Sequence, residues 1–429
     1  MGERQAPGGG GRRLTRRGLL SGGALAAAGA VAGGAAVAGG AAAGAPPASA
    51  SPATPATPAT PPPAAPAALA NTPDGGAVVP FHGPHQAGVA TPPQAHAVFV
   101  AFDLRKGVGK EALARMMRLL TDDARRLTQG RPALADTEPE LAALPARLSV
   151  TYGFGPGLFD AAGVEEHRPE SVAALPAFKI DKLRREWSGG DLLAQICADD
   201  PLTVAHALRM IVKDARAFAE VRWTQRGFRR AAHSQPGGTT QRNVMGQLDG
   251  TVNLVPGTPD FDRAVWIEEG RLSGGTTLVL RRIRAEMETW DAADTTAKEF
   301  TVGRRLSDGA PLTGRNEYDE PDFDRLTPVG FPVISEYAHI RRAHVADPGL
   351  RMLRRVYNYD EGVGADGTAD CGLLFAAYQA DIARQFLPVQ RRLAEADLLN
   401  EWTTPIGSAV FAIPPGCGPD GWIGQTLLS

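Results

Sequence analysis

A break in composition near residue 80 does most to limit what this chain can fold into. Residues 46–80 are mostly Pro, Ala and Thr and contain the short repeat Ala53-Thr54-Pro55-Ala56-Thr57-Pro58-Ala59-Thr60-Pro61. Such a segment cannot bury enough apolar surface to offset the entropy of ordering it, so a semi-extended tether is expected. Ahead of it, residues 1–45 place Arg12, Arg13, Arg16 and Arg17 before Leu19-Leu20 and a long uncharged Ala/Gly run. The order Thr15-Arg16-Arg17-Gly18-Leu19-Leu20, with a weakly apolar core behind it, has the layout of a twin-arginine export signal, and Ala43-Gly44-Ala45 suits a signal peptidase. A membrane-spanning helix is the competing reading, but Ala and Gly partition weakly into lipid. The expected location is periplasmic, extracellular or cell-surface, and the folded part is expected from residue 81 onward.

The rest is long enough for two domains of ordinary size, placed at 81–258 and 259–429. The whole chain has 429 residues, of which 43% are hydrophobic and 21% charged, with a formal net charge of -2. That balance gives no reason to expect nucleic acid or an anionic membrane as the main partner, and favours a small molecule. Cys197, Cys371 and Cys417 make no C-x-x-C pattern and no haem-attachment motif, so at most one disulfide could form. Cys371, beside an apolar run, reads as a small buried side chain.

The apolar run 95–104 reads as a strand, and residues 110–129 carry Leu113, Met116, Met117, Leu119 and Leu120 at helical spacing. Residues 148–155 and 192–197 read as strands and 201–220 as a second helix. Strand, helix, strand, strand, helix, strand describes a ferredoxin-like α+β unit with a four-stranded antiparallel sheet. A second round is expected from a long strand at 276–290, strands at 352–359, 372–379 and 408–413, and a helix at 382–400. The fold class is therefore α+β, with two ferredoxin-like units.

Between the two rounds lies Arg242-Asn243-Val244-Met245-Gly246-Gln247-Leu248-Asp249-Gly250-Thr251-Val252-Asn253. Gly246 and Gly250 permit backbone angles that a Cβ resists and let the main chain approach a ligand, so Asp249 between them can be aimed. The alternative is an Asp-Gly turn joining two strands. A site needs partners, and the second half offers His339 and the pair Arg354-Arg355. Arg355 lies between apolar Met352-Leu353 and Tyr357, so its charge should be drawn inward toward an anion.

The set Gly246-x-x-Asp249-Gly250, Ala338-His339-Ile340-Arg341, Leu353-Arg354-Arg355 and Gly372-Leu373-Leu374-Phe375 resembles the dye-decolorizing peroxidases, in the exported branch that includes deferrochelatase/peroxidase proteins. His85-Gln86-Ala87-Gly88 with Thr91-Pro92, and Gly309-Ala310-Pro311-Leu312, fit the same branch, and the resemblance runs from about residue 81 to residue 429. It implies a DyP-type dimeric α/β-barrel-like fold and a non-covalent haem b, with His339 as proximal iron ligand. Asp249 and Arg355 would lie on the distal face, where Asp249 moves the peroxide proton and Arg355 stabilises charge on the departing oxygen; Asp249, Gly250 and Arg355 would contact the cofactor. Asp381 is the implied hydrogen-bond partner of the proximal imidazole, the alternative being an exposed carboxylate at a helix start. The family commonly has an aromatic residue where Gln247 stands and Lys or Met where Leu248 stands, so the loop's surroundings should differ here. Hydrogen peroxide is the implied oxidant, and dyes, phenolics or a metal ion the reductants, with an acidic optimum. Trp266, Trp290 and Tyr357 are the first candidates for electron relays. A homo-oligomer and an iron-uptake or copper partner are compatible with the resemblance. The rival readings are a deferrochelatase-like protein that releases iron from haem, and a binding module whose Asp249 loop is only a turn.

Overall fold

The computed structural model describes residues 75–429; the expected export signal and most of the tether lie outside the described residues. The first half runs β1 (His96–Leu104), α1 (Lys110–Leu127), β2 (Ser149–Phe154), α2 (Pro156–Ala162), β3 (Leu192–Ala198), α3 (Pro201–Ala215) and β4 (Ala219–Phe228). Its strands lie in the order β2-β3-β1-β4, all antiparallel. β1 reads as an unbroken apolar run because both its faces are covered. Ala97, Phe99 and Ala101 join one core cluster, while Val98, Val100 and Phe102 join another with Leu113, Met116, Met117 and Leu120 of α1. Burying those four α1 side chains contributes about 1.5–3 kcal/mol each. α3 begins where the sequence signals it: Pro201 opens the helix and the Asp200 side chain accepts from Thr203 N at 2.7 Å.

The second half runs α4 (Pro259–Val265), β5 (Thr276–Ala285), α5 (Met287–Ala292), α6 (Thr295–Val302), α7 (His339–Ala343), β6 (Leu353–Arg354), β7 (Tyr357–Val363), β8 (Ala369–Gln379), α8 (Phe386–Ala396), β9 (Thr403–Ile413) and α9 (Gln425–Leu428). Its long strands take the order β9-β5-β8-β7, the same plan as the first half, with two-residue β6 added beside β8. Single pairings, Phe154 with Ala412 and Phe228 with Asn358, join the halves through β2–β9 and β4–β7. Together with β5–β8 they close the eight long strands into a ring.

The strand expected at 276–290 stops at Ala285. Met287–Ala292 is helical instead, which buries Trp290 edge-on against Trp402 at 5.4 Å between ring centroids. The helix expected at 382–400 starts at Phe386, because Asp381 holds the preceding residues in a turn through Ala383 N at 2.8 Å. β5 carries the alternation that matters for function. Leu278, Leu280 and Arg282 point into the ring, where Arg282 lies over Tyr359 and Trp187 with its carbon 3.7 and 4.3 Å from the ring centroids. Arg281 and Ile283 point outward, toward a cavity covered by α7 and α8.

Candidate functional site

Residues 241–249 fold as a short hairpin. Asn243 N donates to Gln247 O and Gly246 N to Asn243 O, both at 2.9 Å, while Arg242 bridges Leu248 and Asp249 N donates to Gln241 O at 2.9 Å. The Asn243 side chain accepts from Met245 N and Gln247 N at 3.1 Å, and Gly246 takes φ +83°, which a β-carbon resists. A turn is therefore present, but at Asn243–Gly246. Asp249 stands beyond it, followed by Gly250 at φ +135°. The hairpin is held on the ring by Asn358, whose Oδ1 accepts from Val244 N at 3.0 Å, and by Trp290 Nε1, which donates to Met245 O at 3.0 Å.

Asp249 meets Arg354, not Arg355. Arg354 Nη1 donates to Asp249 Oδ1 at 2.9 Å, and both side chains line the cavity. Asn253 fixes the register between loop and strand, since its Oδ1 accepts from Arg354 N at 2.9 Å and its Nδ2 donates to Arg354 O at 2.8 Å. Arg355 corrects the sequence reading. Its charge is drawn inward as expected, at 2% exposure, but away from the cavity, and its partners are the neutral oxygens of Thr91 O and Gln94 Oε1. Arg354 ends β6 and Arg355 follows it, still tied to β8 through its N donating to Ala376 O at 2.8 Å, and consecutive side chains of an extended segment leave on opposite faces. Arg355 therefore enters the ring beside Cys197 and Tyr357, where burial pushes the Cys197 thiol up.

Across the cavity stands His339, the first residue of α7. Its Nδ1 pairs with Asp397 Oδ2 at 2.6 Å, and no protein group among the described residues engages its Nε2. Asp381, expected in that role, serves the turn before α8 instead, and the pairing residue lies 58 positions from the histidine. Asp397 is itself fixed, as its Oδ1 accepts from Leu399 N at 2.9 Å. α7 and α8 are cross-tied by Arg342 Nη2 to Arg392 O at 2.9 Å and Arg392 Nε to Arg342 O at 3.0 Å. Burial opposes the charged imidazole, but the Asp397 carboxylate outweighs it and holds the His339 pKa above its ordinary value.

The cavity between these groups measures about 330 Å³. Gly250, Asp249 and Arg354 lie on the hairpin side, His339 and Ile340 on the α7 side, and Ile283, Phe375, Val389 and Leu393 supply apolar walls. Arg304 and Arg351 add cationic groups, and Arg281, also on the lining, is paired with Asp181. One imidazole with Nε2 free and Nδ1 anchored, apolar walls and several guanidinium groups suit a flat, anionic iron porphyrin. Among the described residues no cluster of three or more His, Cys, Asp or Glu could hold a bare metal ion.

Comparison with known proteins decides the family. Residues 86–229 match the model of the Dyp-type peroxidase N-terminal domain, and residues 240–418 that of the C-terminal domain. The chain belongs to the Dyp-type peroxidase family. It is similar to a dye-decolorizing peroxidase of Thermobifida fusca (strain YX), at 39% identity over 359 residues, 80% of this chain and 83% of the relative. It is also similar to a deferrochelatase of Escherichia coli (strain K12), at 36% identity over 377 residues, 81% of this chain and 87% of the relative. The crystal structure of a DyP-type peroxidase from Cellulomonas bogoriensis superposes with a TM-score of 0.80 at 51% identity, covering 83% of this chain and 99% of that one. The protein is thus a haem-dependent peroxidase that uses hydrogen peroxide and a reductant.

Of the residues singled out in the sequence, the structure brings Asp249, Gly250 and His339 to one cavity, with Arg354 rather than Arg355 of the offered pair, while the ties through Asp397 and Asn253 were not anticipated. Alternation about β6 was the available signal for Arg354. Of the relay candidates, Trp266 stacks on His85 at 3.7 Å between centroids, Trp290 is buried behind the hairpin, and Tyr357 lies inside the ring. None of the three lines the cavity.

Proposed function

We propose that the protein is an exported peroxidase in which non-covalent haem b is held by His339 Nε2, with Asp249 and Arg354 handling peroxide on the opposite side. The observation that carries this reading is the placement of the Arg354–Asp249 pair and of the anchored imidazole in one cavity. When bound, the haem supplies the iron at which the peroxide O–O bond is cleaved. The Asp249 carboxylate takes the proton from one peroxide oxygen and returns it to the departing one. The Arg354 guanidinium, always protonated, stabilises the charge that develops on that oxygen. The Asp397 carboxylate keeps the His339 Nδ1 proton on the far side of the ring and so directs Nε2 to the cavity. Gly250 gives the hairpin side room beside Asp249. The apolar walls exclude water, and Arg304 and Arg351 are the candidate partners of the haem carboxylates.

Dyes, phenolics or a metal ion are the proposed reductants, with oxidation fastest at acidic pH. Export would follow the twin-arginine route read from residues 1–45. Similarity to a deferrochelatase supports a second reading, release of iron from haem. Analysis of products separates the two, since a peroxidase leaves the porphyrin with its iron and accumulates oxidised donor. Replacing Asp249 by Ala should preserve the Soret band and slow peroxide consumption by about 10²–10⁴-fold, the contribution of a positioned proton-transfer group. An unchanged rate in that variant would remove Asp249 from the mechanism.

A further inference from the structure

Gln247 lies two residues before Asp249 and lines the same cavity, with 7% of its surface exposed. Its backbone is fully engaged with Asn243, through N to Asn243 Oδ1 at 3.1 Å and Asn243 N to its O at 2.9 Å. Its carboxamide makes no hydrogen bond among the described residues, and Nε2 is sealed from solvent without an acceptor. A buried amide in that condition is destabilising unless a ligand completes it.

The neighbouring polar side chains have partners of their own. Leu248 makes the bridge to Arg242, and in extended backbone the residues on either side of it leave on the same face, so Gln247 and Asp249 line the same cavity. Arg354 is committed to Asp249 at 2.9 Å, and Arg242 Nη1 to the carbonyls of Gly246 and Leu306 at 2.8 and 2.7 Å. The Asn243 side-chain oxygen serves two backbone amides.

A carboxamide can turn about its last torsion to present either N–H or C=O. An ionised carboxylate only accepts and a guanidinium only donates, whereas the Gln247 carboxamide can do both. Hydrogen peroxide, with two O–H donors and two oxygen acceptors in a small volume, has the matching chemistry. We propose that Gln247 is a substrate-binding residue that hydrogen-bonds peroxide beside Asp249 and fixes which of its oxygens faces the carboxylate. The assignment rests on the haem-peroxidase reading above.

The test uses the haem-loaded full chain and its Gln247→Met and Gln247→Glu variants, with fluoride titrated into the ferric protein and followed in the visible spectrum. Fluoride accepts hydrogen bonds and stands in for the peroxide oxygen. Methionine keeps the side chain's length and removes the amide, so fluoride affinity should fall about tenfold, the loss of one hydrogen bond to a charged acceptor. KM for peroxide should rise while haem content stays near wild type and Tm does not fall. In Gln247→Glu, affinity should fall further at neutral pH and recover as the pH drops and the new side chain gains a proton to donate. Fluoride affinity within about twofold of wild type in Gln247→Met would overturn the assignment. So would faster haem loss with fluoride binding unchanged, which would make Gln247 a haem contact. A wild-type protein that gives no Soret band after reconstitution would instead defeat the haem-peroxidase reading itself.

Discussion

Replacing Arg354 by Leu and Arg355 by Met separates two neighbours that share a charge but not a face. Arg354 is 27% exposed and Asp249 12%, so the loss of this partly solvated pair should cost under about 1 kcal/mol of stability. The kinetic cost should be much larger. Removing a fixed donor aimed at developing charge typically costs about 10²–10³ in rate, or about 2.7–4 kcal/mol. Arg355 reverses the pattern, because its guanidinium satisfies Thr91 O and Gln94 Oε1 in a buried setting. Those two acceptors would each lose a donor at about 1–3 kcal/mol, partly offset because a buried guanidinium with no carboxylate partner is itself costly. A lower Tm is therefore expected for Arg355→Met, with the peroxide reaction within about twofold of wild type. The assay is stopped-flow mixing of the ferric holoprotein with peroxide, followed at the Soret band, beside thermal unfolding of the same samples. A tenfold or greater slowing in Arg355→Met with its Soret band intact, or a wild-type rate in Arg354→Leu, would refute the assignment.

Asp397→Asn should leave the haem in place at first but speed its loss to a trapping apoprotein by about 10–100-fold, the usual effect of removing the group behind a metal-bound imidazole. It should also raise the reduction potential, since the negative charge behind Nδ1 is gone. Asp123 on α1 gives a prediction about stability far from the cavity. Burial, followed by the neighbouring Asp214 carboxylate, pushes its pKa up to about 8. The folded state therefore keeps this proton where the unfolded chain has lost it. Stability from this group is fully present below about pH 4, falls as pH rises, and is lost above about pH 8. Asp123→Asn should raise Tm at neutral pH by an amount on the order of 2–4 kcal/mol in unfolding free energy and flatten the slope between pH 4 and 8. An unchanged slope would contradict the raised pKa of Asp123.

Local sequence revealed what depends on local chemistry. The apolar run of β1, the Pro201 start of α3 and the repeated strand-helix plan follow from periodicity and capping, and the observed ring is built from those two plans. The glycines around Asp249 marked a loop with special backbone angles, and two of them have positive φ. Pairings made only by the closed fold were hidden. His339 and Asp397 lie 58 residues apart on elements tied by Arg342 and Arg392, and neither spacing nor composition links them. The Arg354/Arg355 choice failed for a different reason. An inward-drawn arginine was read as one facing the site, whereas this molecule has two interiors, the ring and the cavity, on opposite faces of one sheet. The end of β5 was misplaced because residues 286–290 alternate like a strand until the burial of Trp290 favours a helical turn.

The proposed mechanism depends on His339 Nε2 holding the haem opposite Asp249. Its most direct test is the visible and EPR spectrum of the haem-reconstituted full chain and of His339→Ala, each with and without added imidazole. Wild type should show a Soret band and, as the ferrous nitrosyl adduct, nitrogen hyperfine structure from an axial imidazole. The variant should lose haem or that signature and regain it when imidazole fills the space left by the side chain. A His339→Ala protein that binds haem tightly with the wild-type axial signature, and that imidazole does not change, would place the ligand elsewhere.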